Sequence, residues 1–313
     1  MLSSNRRLRP MGITDILDET VEIYKSSFLL LVGISAFLHV PYTLIMAPFQ
    51  RPGLSFEDYN LWQFIGLAIA MVLLLLIVNP VVTGALTFGI SEKYLERETS
   101  IGQCYRRILK PKVFLPFLGA NILIGLLTLL AALPSIIAFV AGFLLITNFA
   151  SFEAAGAGLL YSLPLFLFGF AGLILPTWVA LRFTLVAPAF FVESRSAVES
   201  VKRSWGLMKS NVLKALGLTL IVSIAISMIQ GIISAPLQLI SVSSAMKGAV
   251  PSHAVIIVST IIQMAVSTLL MPISSVAIIL LYYDIRIRKE GFDLELLANQ
   301  LDQNAKASTE PEA

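Results

Sequence analysis

LLYYDIRIRKEGFDLELL, residues Leu280 to Leu297, ends one of the most apolar runs of a 313-residue chain in two tyrosines and a burst of alternating charge. Tyr282 and Tyr283 followed by Arg286, Arg288 and Lys289 read as a membrane exit. Aromatic rings settle at headgroup level, and cations beyond them hold a span end on the cytoplasmic side. Past the exit, Phe292, Leu294, Leu296, Leu297 and Leu301 are spaced as a short surface helix, and 299–313 reads as a disordered cytoplasmic tail.

Composition agrees with a lipid solvent. Hydrophobic residues make up 57% and charged residues only 13%, with a mean hydropathy of +0.86; soluble domains carry roughly 25% charge. The single cysteine, Cys104, excludes an intramolecular disulfide. The first 27 residues carry charges throughout and no apolar core of a signal peptide, so the first span is expected to direct insertion.

Crossing ~30 Å of hydrocarbon takes ~20 helical residues. Six runs qualify, at about 28–49, 62–91, 113–147, 159–192, 212–246 and 253–283. Several are longer than a straight crossing needs, and Pro80, Pro134, Pro176, Pro188, Pro236 and Pro272 fall inside them, so kinks are expected there. Lys and Arg alternate sharply between connections. The N-terminal segment, the second and fourth connections and the tail hold nineteen, whereas the other three connections hold only Arg51 and Lys247. Both termini are therefore expected in the cytoplasm. The expected class is an all-α integral membrane protein: a segment 1–11, one six-span domain over 12–298, and the tail.

Each cytoplasmic stretch also carries an amphipathic helix with a start signal, at about 12–26, 100–109 and 196–210. Ser100-x-x-Gln103 and Ser196-x-x-Glu199 are capping boxes, and Gly12-x-x-Asp15 is a weaker version. Gly12 precedes Lys25 by thirteen residues, as Ser196 precedes Lys209, and eight residues after each lysine comes a glycine, Gly33 or Gly217. Pro80 precedes Glu92 by twelve, as Pro272 precedes Asp284. These matches predict a threefold internal repeat of one surface helix plus a two-span hairpin, with chance similarity in a repetitive composition as the alternative. Helix one presents Asp15, Asp18, Glu19 and Glu22, helix two Arg106 and Arg107, helix three Lys202 and Arg203. The opposed charges predict that helix one packs on helix two or three; the alternative is three separate solvated faces along the bilayer.

Chemistry-bearing residues are few. There is no HExxH, no cysteine pair, no Gly-x-Ser-x-Gly elbow and no phosphate-cradling glycine loop, so neither catalysis nor a metal or other cofactor is expected. Four residues make a candidate mid-bilayer polar site: Arg182, His39, Asn121 and Gln263. Arg182 lies eleven residues before Glu193, about 16 Å as straight helix. It reads either as an anion or lipid-headgroup site or as a snorkelling structural arginine. His39 is open to a proton role or to a structural one, and His253 reads as interfacial. Ser223, Ser227, Gly231 and Ala235 form a small-residue stripe that lets another helix approach, within the monomer or across a dimer. Cys104 reads as a buried thiol on the apolar side of surface helix two.

Three segments carry a family resemblance: Arg-Pro-x-Gly-Ile-x-Asp-Ile-Leu-Asp at Arg9–Asp18, the Arg182…Pro188…Glu193…Lys202-Arg203-Ser204-Trp205 stretch, and Tyr282 to Arg286 through Lys289 to Asp293. Together they resemble the bacterial six-span proteins of the glycerophosphoryl diester phosphodiesterase membrane domain family. In some of those proteins a catalytic barrel follows the membrane domain; no barrel is present in this sequence. The resemblance therefore implies a location in a bacterial plasma membrane but no activity and no assigned binding residues.

The expected function is that of a non-enzymatic membrane protein that organises or handles lipids or partner membrane proteins, with no nucleic acid among its partners. The alternatives are a transporter using the polar residues around Arg182 and a membrane component associated with glycerophosphodiester or lipid metabolism. A transporter predicts a hydrated cavity lined by Arg182. A scaffold predicts a filled bundle with an exposed groove or stripe.

Overall fold

The computed structural model describes residues 9–46, 60–148, 155–249 and 252–291, and among them every regular element is a helix. Six helical stretches are long and apolar enough to cross a membrane: Phe28–Met46, Leu61–Tyr94, Pro111–Asn148, Gly158–Val192, Val212–Ser244 and His253–Glu290. The protein is an all-α, multi-pass membrane protein. The surface helix expected after Phe292, the tail at 299–313 and most of segment 1–11 lie outside the described residues.

The chain divides into three units of similar plan. Unit one holds α1 (Ile13–Ser26), α2 (Phe28–Met46), α3 (Leu61–Leu73) and α4 (Asn79–Tyr94); unit two holds α5 (Ile101–Ile108), α6 (Pro111–Asn148), α7 (Ala155–Gly172), α8 (Ile174–Phe183) and α9 (Val186–Val192). Unit three holds α10 (Ala197–Met208), α11 (Val212–Met246) and α12 (His253–Glu290). The three surface helices α1, α5 and α10 begin where their caps dictate. Ser100 and Ser196 each accept from the third backbone N–H of their helix at 3.4 Å, while Gln103 and Glu199 reach back to the cap N–H. Gly12 has no side chain, so only the return bond to Asp15 forms, at 2.7 Å.

The units close into a ring. Each surface helix packs on the two spans of the unit before it: α5 on α2 and α4, α10 on α6 and the α8–α9 limb, and α1 on α11 and α12. Second spans likewise meet the first span of the following unit, α4 with α6, α8 with α11, and α12 with α2. Helix α1 thus takes the place that a preceding unit's neighbour would occupy and ties the chain's start to its end. This corrects the expectation that acidic α1 packs on α5 or α10. Burial of Ile16 and Ile23 against the last hairpin outweighs any charge pairing, because both side chains are wholly buried.

Packing at the first turn repeats around the ring. Ile101 of α5 lies over Gly33, where a Cβ would overlap its Cδ1; Ile13 of α1 lies over Gly217 at 3.6 Å from a Cβ position. Ala197 of α10 packs against the cluster of Ala120, Phe183 and Val186. A helix start over a glycine thus occurs at α5 and again at α1.

Prolines act in two ways. Before Pro80 the ladder widens into a π-helical turn at Leu74–Val78, and the fourth span breaks at Leu173 and again at Thr184–Leu185, just ahead of Pro176 and Pro188. Helices run on through Pro134, Pro236 and Pro272. At Pro272 the freed carbonyls find donors in unit one: Ser35 bonds Thr268 O at 2.7 Å and Tyr24 bonds Leu269 O at 2.8 Å.

The opening stretch reads differently in three dimensions. Helix α12 does not stop at Tyr283 but continues to Glu290, where Gly291 ends it in the left-handed region at φ 63°. Tyr282 and Tyr283 are fully buried rather than set in an aromatic belt. Tyr283 stacks on Tyr94 of α4 at 4.7 Å. The core lies where the C-terminal parts of α4, α9 and α12 converge, around Leu86, Leu185, Leu280 and Leu281.

Candidate functional site

The charges after Tyr283 are neutralised in place. Asp284, wholly buried, accepts from Met11 N at 2.7 Å, from Arg288 Nε at 2.9 Å and from Lys214 Nζ. Lys214 and Arg288 also bond Met11 O at 2.7 and 2.9 Å. One carboxylate therefore clamps the N-terminal segment to units three's two spans. Sequence spacing had marked Asp284 through its distance from Pro272 but held no sign of Met11 as its partner.

Glu193, at the end of α9, is a second node. It accepts from Tyr282 Oη at 2.6 Å, from Arg203 Nε at 3.0 Å and from Arg195. Arg203 and Arg286 both reach Glu290 as well. Burial alone would raise the Glu193 pKa, but the donors from Tyr282, Arg195 and Arg203 hold it below the ordinary carboxylate value. Arg203 is raised in turn: burial acts to lower it and is outweighed by Glu290 and Glu193. These two nodes join units two and three and close the ring, and all their members are mutually satisfied. Their arrangement is structural.

Arg182 stands apart from both. Its guanidinium carbon lies 4.7 Å from the Trp178 ring and 4.9 Å from the Trp205 ring, in the corner made by two perpendicular indoles. Nη1 donates to Trp205 O at 3.4 Å, and Ser204 Oγ donates to Arg182 O at 2.8 Å. The stretch from Arg182 to Glu193 is not one straight helix: it breaks at Thr184–Leu185, and Arg182 meets surface helix α10. The i, i+4 spacing of Trp178 and Arg182 on α8 was a legible sign of their stacking.

The four candidate polar residues do not converge. His39 Nδ1 lies 3.2 Å from Ser35 O, and Asn121 Nδ2 donates to Phe117 O at 2.8 Å, each within its own helix. Among the described residues no hydrogen bond or ion pair links Arg182, His39, Asn121 and Gln263 to one another. Gln263 lines a cavity. His253 is exposed, as expected of an interfacial residue, and Cys104 is buried. Burial pushes the Cys104 thiol up, against a weaker pull from Thr99.

That cavity is a groove of about 360 Å³ between α11 and α12, lined by Gln230, Gly231, Ser234, Gln238, Gln263 and Ser267, with Val266 at its floor. Residues 230, 234 and 238 recur every fourth position and share one face of α11, as 263 and 267 do on α12. Among the described residues none of these amides and hydroxyls makes a hydrogen bond within the protein. No charged side chain lines the groove. Its chemistry is that of donors and acceptors for uncharged hydroxyl, ester or amide groups.

Ser223, Ser227, Gly231 and Ala235 are all exposed, and a Cβ at Gly231 would meet nothing within 4 Å. The reading of this stripe as a contact within the monomer is therefore corrected: α12 packs on a neighbouring face of α11. Sequence reasoning named Gln263 and Gly231 separately and missed that Gln230, Ser234 and Gln238 join them. The period of four in α11 was available as a signal.

Comparison with known proteins adds a family. Residues 42–285 match a family model described as a domain of unknown function (DUF7847). No curated protein and no solved structure matches the chain.

Proposed function

The chain belongs to the DUF7847 family of domains of unknown function, and from that premise we propose that it is a non-enzymatic membrane protein that handles or organises lipids. The observation that carries this reading is the open α11–α12 groove with its unpartnered amides and hydroxyls. In hydrocarbon an unmet carboxamide costs several kcal/mol, so a polar group from outside the fold is required there. The head or ester region of a membrane lipid supplies one, with its chains along the exposed apolar surface of Ile232, Ile233 and Leu239.

The closed core at one end of the bundle favours this over transport. Val276, Leu280 and Leu185 are wholly buried there, and Arg182 is stacked on Trp178 and Trp205. Partner membrane proteins are the second class of occupant, through the exposed stripe on α11. The uneven distribution of Lys and Arg between connections supports both termini in the cytoplasm, and the resemblance to the glycerophosphoryl diester phosphodiesterase membrane domain supports placement in a bacterial plasma membrane and an association with lipid metabolism.

Native mass spectrometry of the protein released in lipid nanodiscs tests the proposal. Retained lipid is expected on the intact chain and lost from Gln230→Leu/Gln263→Leu. Equal retention by both would remove the groove as a lipid site. Solute flux into proteoliposomes that Arg182→Ala abolishes would replace this reading with transport.

A further inference from the structure

Around the core, cations are matched by acids. Arg195 and Arg203 pair with Glu193, Arg203 and Arg286 with Glu290, and Lys214 and Arg288 with Asp284. Arg182 is different. Among the described residues no carboxylate lies within 4 Å of it, and its single hydrogen-bond acceptor is Trp205 O at 3.4 Å. Its Nε is buried without an acceptor. A guanidinium offers five N–H donors and keeps its charge at any physiological pH. The stacking on Trp178 and Trp205 holds that charge in place without neutralising it.

The surroundings say which anion fits. Trp178 and Trp205 are 38% and 41% exposed, so the corner that holds Arg182 opens on the surface of the bundle. Tryptophan in that position belongs at the boundary between lipid and water. Lys202 and Trp205 on α10 and Lys209, which caps its C-terminal end, follow one another at i, i+3 and i+7, share one face, and are all exposed. Neither lysine makes an ion pair within 4 Å among the described residues, whereas Arg203, on the other side of the helix, is tied to Glu193 and Glu290. Helix α10 therefore turns its paired cation inward and its two lysines outward, on the face that carries Trp205.

We propose that the corner formed by Arg182, Trp178 and Trp205, flanked by Lys202 and Lys209, binds the phosphate of a negatively charged phospholipid. The guanidinium edge takes the phosphate oxygens, the lysines add long-range attraction, and the indoles seat at the glycerol level. Phosphate is bound as a spectator, with no bond made or broken. The site uses α8 and α10 and none of the α11–α12 groove, so either assignment can fail without the other.

Tryptophan fluorescence reads the site directly. The only other tryptophan is Trp62, and Trp62→Phe leaves Trp178 and Trp205 as reporters. This protein is reconstituted in phosphatidylcholine vesicles holding rising fractions of brominated phosphatidylglycerol or, in parallel, brominated phosphatidylcholine. Quenching by the anionic lipid is expected at a mole fraction about fivefold lower for each cation that engages it. Arg182→Gln is expected to remove most of that preference, and Lys202→Gln/Lys209→Gln, at exposed positions that leave packing untouched, to reduce it. Arg106→Gln on α5 is expected to leave it unchanged. Equal quenching by the two lipids overturns the proposal, as does a preference that survives both α10 and Arg182 substitutions. If sodium phosphate removes the preference and sodium chloride of equal ionic strength does not, the ligand is a free anion and the phospholipid assignment is overturned.

Discussion

Ser35 of the first span donates a hydrogen bond of 2.7 Å to the carbonyl of Thr268 in the last, four residues ahead of Pro272. That carbonyl has no helical partner because proline has no N–H. The first and third units are thus stitched at the point where the last helix cannot bond itself. Ser35→Ala is expected to lower stability by about 1 kcal/mol, the usual worth of such a bond between membrane helices. Thermal unfolding in detergent measures it, and Ser35→Thr should recover most of the loss. An unchanged midpoint would mean that the Thr268 carbonyl is satisfied elsewhere.

Ring closure through Asp284 makes a second prediction. Asp284→Asn leaves Lys214 without its buried partner and weakens the hold on Met11. A loss of about 3 kcal/mol is expected from breaking such a pair on one side. Trypsin should then cut after Lys25, exposed near the end of α1, far faster than in the intact protein. Reversing the charge of Asp18, which is exposed on α1, should leave that rate alone.

Gly33 and Gly217 should respond unequally to one methyl group. At Gly33 a Cβ overlaps Ile101, whereas at Gly217 the nearest atom is Ile13 Cδ1 at 3.6 Å, an ordinary contact. Gly33→Ala is expected to cost about 1 kcal/mol and Gly217→Ala less than about half of that. Adding Ile101→Ala to Gly33→Ala should relieve the clash. A double-mutant cycle with no coupling would show that α5 does not seat on α2 in this register.

The Glu193 node sets a pH dependence. Its carboxyl titrates below the ordinary value in the folded state, through donors that outweigh burial. Folding is therefore favoured at pH values above the unfolded-state titration near about 4.3, and that contribution disappears as pH falls through the folded value. Melting temperatures followed from neutral pH into this acid range should fall more steeply for the intact chain than for Glu193→Gln. Parallel curves would place the acid sensitivity in another carboxylate.

Several features were open to reading along the chain. Six spans follow from run length, since only helices of that length and polarity satisfy their own backbone in lipid. Surface-helix starts at Ser100 and Ser196 were equally local, because a capping box needs only four consecutive residues. Even the unit spacing, Gly12 to Gly33 and Ser196 to Gly217, was visible before its cause, a helix start seated over a small residue of another unit.

Other features belong to the tertiary structure alone. Nothing in the order of residues says that Tyr282 and Tyr283 point into the core instead of toward headgroups, because burial depends on what α4 and α9 place beside them. The order of residues also joined Arg182 to His39, Asn121 and Gln263 by apparent depth, while folding separates them: a broken ladder at Thr184 delivers Arg182 to the tryptophan of a surface helix. Gln263 meets Gln230 and Ser234 because α11 and α12 lie side by side. Composition and periodicity act within one helix and are fixed by the chain; the partner of a polar group is chosen by the face that another helix brings to it, and that choice was made only when the ring closed with α1 on α12.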